Sequence, residues 1–151
     1  MNRIHIRRAY IDDLGLITPL FDLYRQFYGQ ASDLASATSF LQQRLQQNES
    51  VIFLALDGNA AVGFTQLYPG FSSVSMARTF LLNDLYVVPS HRRHGVGSLL
   101  LEAAVAHAKA EQAVRISLTT NVANATAQSV YEAQGWAREK AFFTYNFPLT
   151  A

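Results

Sequence analysis

Leu85-Tyr86-Val87-Val88-Pro89-Ser90-His91-Arg92-Arg93-His94-Gly95-Val96-Gly97 is the stretch of this chain with the clearest chemical meaning. An apolar strand runs into a basic, glycine-containing turn, and the turn opens a helix. Backbone N–H groups in the first turn of a helix have no partner within it, and the helix dipole adds partial positive charge at the same end. The two effects together make an anion site. Gly95 and Gly97 withhold side chains, so a phosphate can approach the backbone closely, and Arg92 and Arg93 supply charge-assisted hydrogen bonds. A diphosphate suits such a turn. The GxxxxGK[ST] pattern is absent. So is GxGxxG, because Leu100 stands where its third glycine belongs.

The elements around the turn can be read from apolar periodicity. Ile4 to Arg8 alternates apolar and basic residues, as a strand does. Asp12 or Asp13 can cap a helix from Leu14 to Tyr28, with Leu16, Leu20, Leu23 and Phe27 at helical spacing and Gly29 at its end. Phe40, Leu41 and Leu45 mark a second short helix. Val51 to Leu56 and Ala60 to Tyr68 flank Asp57-Gly58-Asn59 as a hairpin, and Pro69, Gly70 and the following serines read as a loop. Arg78 to Val88 is a long strand, Val96 to Glu111 a helix, Val114 to Thr120 a strand, and Asn124 to Gln134 a helix ended by Gly135. Trp136 to Ala137 and Ala141 to Leu149 read as final strands. A right-handed crossover through the Val96 helix makes the strands on either side of it parallel. The order of elements therefore predicts a mixed α/β sheet covered by helices on both faces, within one domain spanning residues 1–151.

Arg92-Arg93-His94-Gly95-Val96-Gly97 is R-x-x-G-x-G after a strand. Asn124, Ala127 and Tyr131 form N-x-x-A-x-x-x-Y ahead of Gly135-Trp136. The two motifs, one helix and one strand apart, resemble the signature of the GCN5-related N-acetyltransferases (GNAT), as do the opening Ile6-Arg7-Arg8-Ala9 and the element order. The resemblance implies a mostly antiparallel sheet of about seven strands, a central parallel pair that splays apart, and about four helices. It implies acetyl-CoA as acyl donor, with Arg92, Arg93, His94, Gly95, Val96, Gly97 and Ser98 around its diphosphate. Backbone groups of Leu85, Tyr86 and Val87 would pair with the pantetheine amides like an added strand, and Asn124 would bond the same arm besides capping its helix. Tyr131 takes the place of the general acid beside the thioester sulfur. Full proton transfer from a phenol to a thiolate is uphill by about 2 kcal/mol, so a hydrogen bond to the developing thiolate is the more economical role.

An attacking amine must be neutral, and deprotonating a lysine-like amine at pH 7 costs about 4–5 kcal/mol. Asp84, His91 and His94 are the candidate bases. Asn83-Asp84-Leu85-Tyr86 resembles the strand of the polyamine and diamine acetyltransferases in the family, where Glu-Asp is common. Asn83 replaces that Glu and leaves the base unassigned. The acceptor wall implied by the resemblance includes Tyr24, Tyr28, Asp33 and Tyr68, whose aromatic faces, with Asp84, suit a cationic amine. A small amine or polyamine is the expected acceptor. A protein lysine or N-terminus, and a non-catalytic acyl-CoA-binding module, are the alternatives.

The remaining features set limits. With 12 Lys plus Arg against 11 Asp plus Glu, the net charge is +1, which gives no support to a nucleic-acid or membrane-surface partner. There is no Cys, so disulfides, thiolate metal sites and a thiol nucleophile are excluded, and no metal is expected. No signal-like or membrane-spanning run is seen, and a cytoplasmic protein is expected. Phe142, Phe143, Tyr145 and Phe147 make the tail more aromatic than one strand needs, which suggests a homodimer contact.

Overall fold

The computed structural model describes residues 3–150. The chain divides into two compact units, Met1–Thr119 and Thr120–Ala151. The first holds β1 (Ile4–Ala9), α1 (Leu14–Phe27), α2 (Leu34–Gln46), β2 (Val51–Asp57), β3 (Ala60–Ser72), β4 (Ala77–Val87), α3 (Val96–Ala110) and β5 (Arg115–Ser117). The strands form one sheet in the order β1-β2-β3-β4-β5. All neighbours are antiparallel except β4 and β5, which α3 connects as a parallel pair.

Alternation along the strands sends apolar side chains to both faces, so both must be covered. Ile52, Leu54, Phe64 and Tyr86 pack on one face against Ile17, Leu20 and Phe21 of α1 and Ala37 and Leu41 of α2. Ala55 and Val62 pack on the other against Val96 and Leu100 of α3. Leu41, Ile52, Leu54, Phe64 and Leu100 are wholly buried. Full burial of one such side chain is worth about 1.5–3 kcal/mol.

Several boundaries differ from the sequence reading for physical reasons. Asp13 does not cap α1 with its side chain. Its carboxylate instead accepts two hydrogen bonds from Arg7, at 2.9 and 3.0 Å, and one from the Tyr10 amide. The first-turn donors are deferred by a short 3-10 turn over Ile11–Asp13. Pro69 and Gly70 lie inside β3, not in a loop. Beyond Leu67 that strand pairs with β4 alone, so a residue without an N–H is accommodated.

The largest correction concerns the C-terminal region. The second unit contains α4 (Ala125–Ala133), but neither Trp136 to Ala137 nor Ala141 to Leu149 is a strand, and the described sheet has five strands instead of seven. Apolar alternation reports fitness for a pleated, half-buried surface, and a strand exists only where a partner supplies one. Phe142, Phe143, Tyr145, Phe147 and Leu149 all stay exposed. α4 ends as expected: the Gly135 amide bonds the Glu132 carbonyl and the Trp136 amide the Tyr131 carbonyl, the paired bonds of a glycine-terminated helix.

His107 on α3 is enclosed by the rings of Phe53 and Phe80, at 5.7 and 5.5 Å. Burial pushes its pKa down and Arg8 pushes the same way, against a weaker opposing pull from Glu111. The unfolded chain therefore takes up this proton at a higher pH than the folded one, and stability is lost as pH falls through the ordinary histidine range near ~6.5. The melting temperature is expected to drop between about pH 7 and pH 5, and the drop to shrink in His107→Gln. An unchanged pH slope in that variant would contradict the assignment.

Candidate active site

The opening begins where the parallel pair ends. β4 and β5 are in register only at Thr79–Arg115, Phe80–Ile116 and Leu81–Ser117, with one further bond from the Val114 amide to the Arg78 carbonyl. From Leu82 to Val87, β4 continues with β3 on one side and no strand on the other among the described residues. The stretch without a partner thus includes Leu85, Tyr86 and Val87 and is longer than those three residues. Unsatisfied strand-edge groups are a template for another extended chain.

The chain leaves β4 through a 3-10 turn at Pro89–His91 and enters α3 through Gly95, which serves as N-cap with φ of +81°. Arg93 holds φ of +65°, a left-handed conformation that costs a non-glycine residue about 1–3 kcal/mol and is characteristic of functional turns. The first bond of α3 runs from the Leu99 amide to the Gly95 carbonyl at 3.1 Å, so the amides of Val96 and Gly97 precede any intrahelical partner. Arg93 and His94 are exposed.

Arg92 is engaged with the strand end. Its Nε donates to the Val87 carbonyl at 2.8 Å, and its guanidinium lies over the Tyr86 and Phe27 rings at 5.4 and 5.6 Å. His91 is held away from solvent. Its Nε2 meets the Asp57 carboxylate at 2.8 Å, because the 3-10 turn folds the imidazole back onto the β2–β3 hairpin. That contact holds the Asp57 carboxyl below the usual carboxylate range. His91 thus anchors the turn, and as a base it is already occupied.

On the α1 face, Tyr24, Tyr28, Tyr68 and Asp84 come together. A bulge in β4 sets two residues, Asn83 and Asp84, against Gln66 of β3. The Tyr24 hydroxyl donates to the Asn83 carbonyl at 3.2 Å, and the Tyr24 ring stands edge-on to Phe64 at 5.8 Å and to Tyr28 at 5.1 Å. Asp84 is 1 % exposed. Burial raises its pKa, and hydrogen bonds from Asn83 and Gln66 oppose that rise. Burial followed by the nearby Asp84 carboxylate pushes the Tyr24 and Tyr68 phenols far up, so both keep their protons. A carboxyl group beside phenols and aromatic faces offers a cation both hydrogen-bond acceptors and π surfaces. Asp33 caps α2 through the Ser36 amide, and its own amide donates to Asp22 of α1.

The residues of the downstream motif lie in the second unit. The Asn124 Oδ1 caps α4 by accepting from the Ala127 amide at 3.1 Å, which leaves its Nδ2 as the group able to meet a ligand carbonyl. Tyr131 sits on α4 with its ring 6.2 Å from that of Trp136. The sequence reading did not bring Gln66 to this site, and it took Phe27 as a packing residue of the first helix only. Gln66 had a signal, as a polar residue at an inward position between the apolar Phe64 and Leu67.

Residues 17–136 match the model of the acetyltransferase (GNAT) family. The chain belongs to the GNAT family. It is an acyl-CoA-dependent N-acetyltransferase, and the GNAT family uses acetyl-CoA as co-substrate. It is 47 % identical to an uncharacterized N-acetyltransferase of Bacillus subtilis (strain 168), over 94 % of this chain and 95 % of that one. A crystal structure of a probable acetyltransferase superposes with a TM-score of 0.92 at 42 % identity, covering 97 % of this chain and 99 % of the other. An aminoglycoside N(6')-acetyltransferase type 1 of Klebsiella aerogenes is 27 % identical over 73 % of this chain and 74 % of its own length. Among the described residues, no helix is long and apolar enough to cross a membrane.

The turn of this GNAT protein fits an acyl-CoA diphosphate on an observation independent of the motif. A Cβ built on Gly97 meets nothing within 4 Å. Internal packing therefore does not demand glycine there, although glycine in a helix costs about 1 kcal/mol relative to alanine. The open space beside Gly97 leaves room for a phosphate to approach the backbone there. Gly97→Leu is expected to leave the melting temperature unchanged or higher and to weaken acetyl-CoA binding by about tenfold or more. Equal loss of stability and affinity in calorimetry and thermal melts would contradict this account.

Proposed function

We propose that the protein transfers the acetyl group of acetyl-CoA to a primary amine of a small cationic molecule, by direct attack in a ternary complex. The observation that carries this reading is the run of β4 from Leu82 to Val87 without a second partner strand, leading into the glycine-opened start of α3. Leu85, Tyr86 and Val87 pair with the pantetheine amides. Arg92, Arg93, His94, Gly95, Val96, Gly97 and Ser98 surround the diphosphate, with the Arg92 contribution requiring release from the Val87 carbonyl. Asn124 and Ala127 complete the donor site, and Tyr131 supplies a proton or hydrogen bond to the departing thiolate. These last three roles rest on the N-x-x-A-x-x-x-Y motif.

On the acceptor side, Tyr24, Tyr28 and Tyr68 form the wall. The Asp84 carboxylate attracts the ammonium form and takes its proton. Because Asp84 is 1 % exposed, that proton travels through a water relay. The neutral amine attacks the thioester carbonyl, the C–S bond breaks, the nitrogen gives up its second proton to the water relay, and the thiolate leaves on a hydrogen bond from Tyr131 and is protonated from solvent. The likeness to the aminoglycoside N(6')-acetyltransferase of Klebsiella aerogenes supports a small polycationic acceptor over a protein. The exposed Phe142, Phe143, Tyr145 and Phe147 are read as a contact for a second copy of the chain.

A panel of polyamines, aminoglycosides and lysine peptides, followed by thiol release, tests the reading. Small polycations are expected to turn over and peptides to turn over poorly. Tyr131→Phe is expected to lower kcat by about 10²-fold or more while acetyl-CoA affinity is kept. Binding of acetyl-CoA with no turnover of any amine would indicate a non-catalytic acyl-CoA-binding protein.

A further inference from the structure

A chain of polar side chains runs through the interior on the α1 face, and stability does not explain it. The Ser50 hydroxyl donates to Gln66 Oε1 at 2.6 Å, and Gln66 Nε2 donates to Asp84 Oδ2 at 2.6 Å. The other carboxylate oxygen, Oδ1, accepts from Asn83 Nδ2 at 2.7 Å, and the Thr65 hydroxyl donates to the Asp84 carbonyl at 2.8 Å. Ser50, Thr65, Gln66 and Asp84 are all buried. Replacing a buried polar network by apolar groups of similar volume is often neutral or stabilising, so a network kept in a small core calls for another reason.

Register supplies the geometry. Gln66 lies directly opposite Asp84 across the β3–β4 pair, and Ile52 lies opposite Gln66 across β2–β3. Ser50 stands two residues before Ile52 and hence on the same face. Because the bulge inserts Asn83, both amides reach one carboxylate, one to each oxygen. An ionised carboxylate only accepts, so Gln66 must turn its Nε2 toward Asp84 and its Oε1 toward Ser50. With Oε1 accepting from the serine hydroxyl, that orientation of the amide is the satisfied one.

We propose that Gln66, oriented by Ser50, is a positioning residue that holds the Asp84 carboxylate in its ionised, proton-accepting state for the acceptor amine. The catalytic half of this statement rests on Asp84 being the base. The amides favour the charged form, while burial disfavours it. Asn83 donates to Asp84 where an acid at that position would repel its charge, so two amides clamp the carboxylate.

The test is the pH dependence of kcat/KM in wild type, Gln66→Met, Ser50→Ala and Asp84→Asn, with the Asp84 carboxyl titrated in parallel by carbon-13 NMR. Gln66→Met is expected to move the Asp84 midpoint and the acidic limb of the rate profile upward together, by about one pH unit, with acetyl-CoA affinity unchanged. Ser50→Ala should move both in the same direction by less, and it serves if Gln66→Met does not fold. An unmoved NMR midpoint in the folded variant overturns the role of Gln66. An NMR midpoint that moves while the rate profile does not, together with an intact acidic limb in Asp84→Asn, overturns Asp84 as base and leaves only the clamp.

Discussion

The parting of β4 from its parallel neighbour after Leu81 is the constraint on which the rest of the structure depends. A sheet normally closes every interior ladder, because an unpaired backbone amide away from water costs more than a made bond returns. Here an interior strand is left half-paired from Leu82 to Val87. The bulge at Asn83 lies at the start of this run, and the turn into α3 lies at its end. Arg93 and Gly95, both with left-handed backbone, stand at that end, in the turn proposed to hold the diphosphate.

The same bulge bears on both halves of the proposed site. It places the Asn83 carbonyl against Tyr24 and Asp84 against Gln66, so the strand proposed to meet the donor with its backbone carries the side chains proposed for the acceptor. Arg92 ties the two sides together, bonding the last residue of the strand and stacking over Phe27 at the end of α1.

What the sequence revealed depended on how local the determining physics was. The anion turn was legible because a strand, two arginines and two glycines before a helix are contiguous. The helices were legible from spacing, within a few residues at each end. The buried chain from Ser50 through Gln66 to Asp84 was not, since its members are separated by long stretches of sequence and meet only through strand register. Asp13 was misplaced as a cap because its partner, Arg7, lies on another element. The final strands were overread at Ala141 to Leu149: aromatic alternation records what a surface would accept, and pairing is decided elsewhere. The family's sheet of about seven strands fell to five for the same reason.

Hydrogen–deuterium exchange with and without saturating acetyl-CoA tests the central claim most directly. The account predicts slowed exchange in peptides covering Leu82 to Val87 and residues 93–98, because the donor arm supplies the missing partner and the diphosphate engages the helix start. Donor binding that leaves both segments exchanging as fast as in the free protein would contradict it.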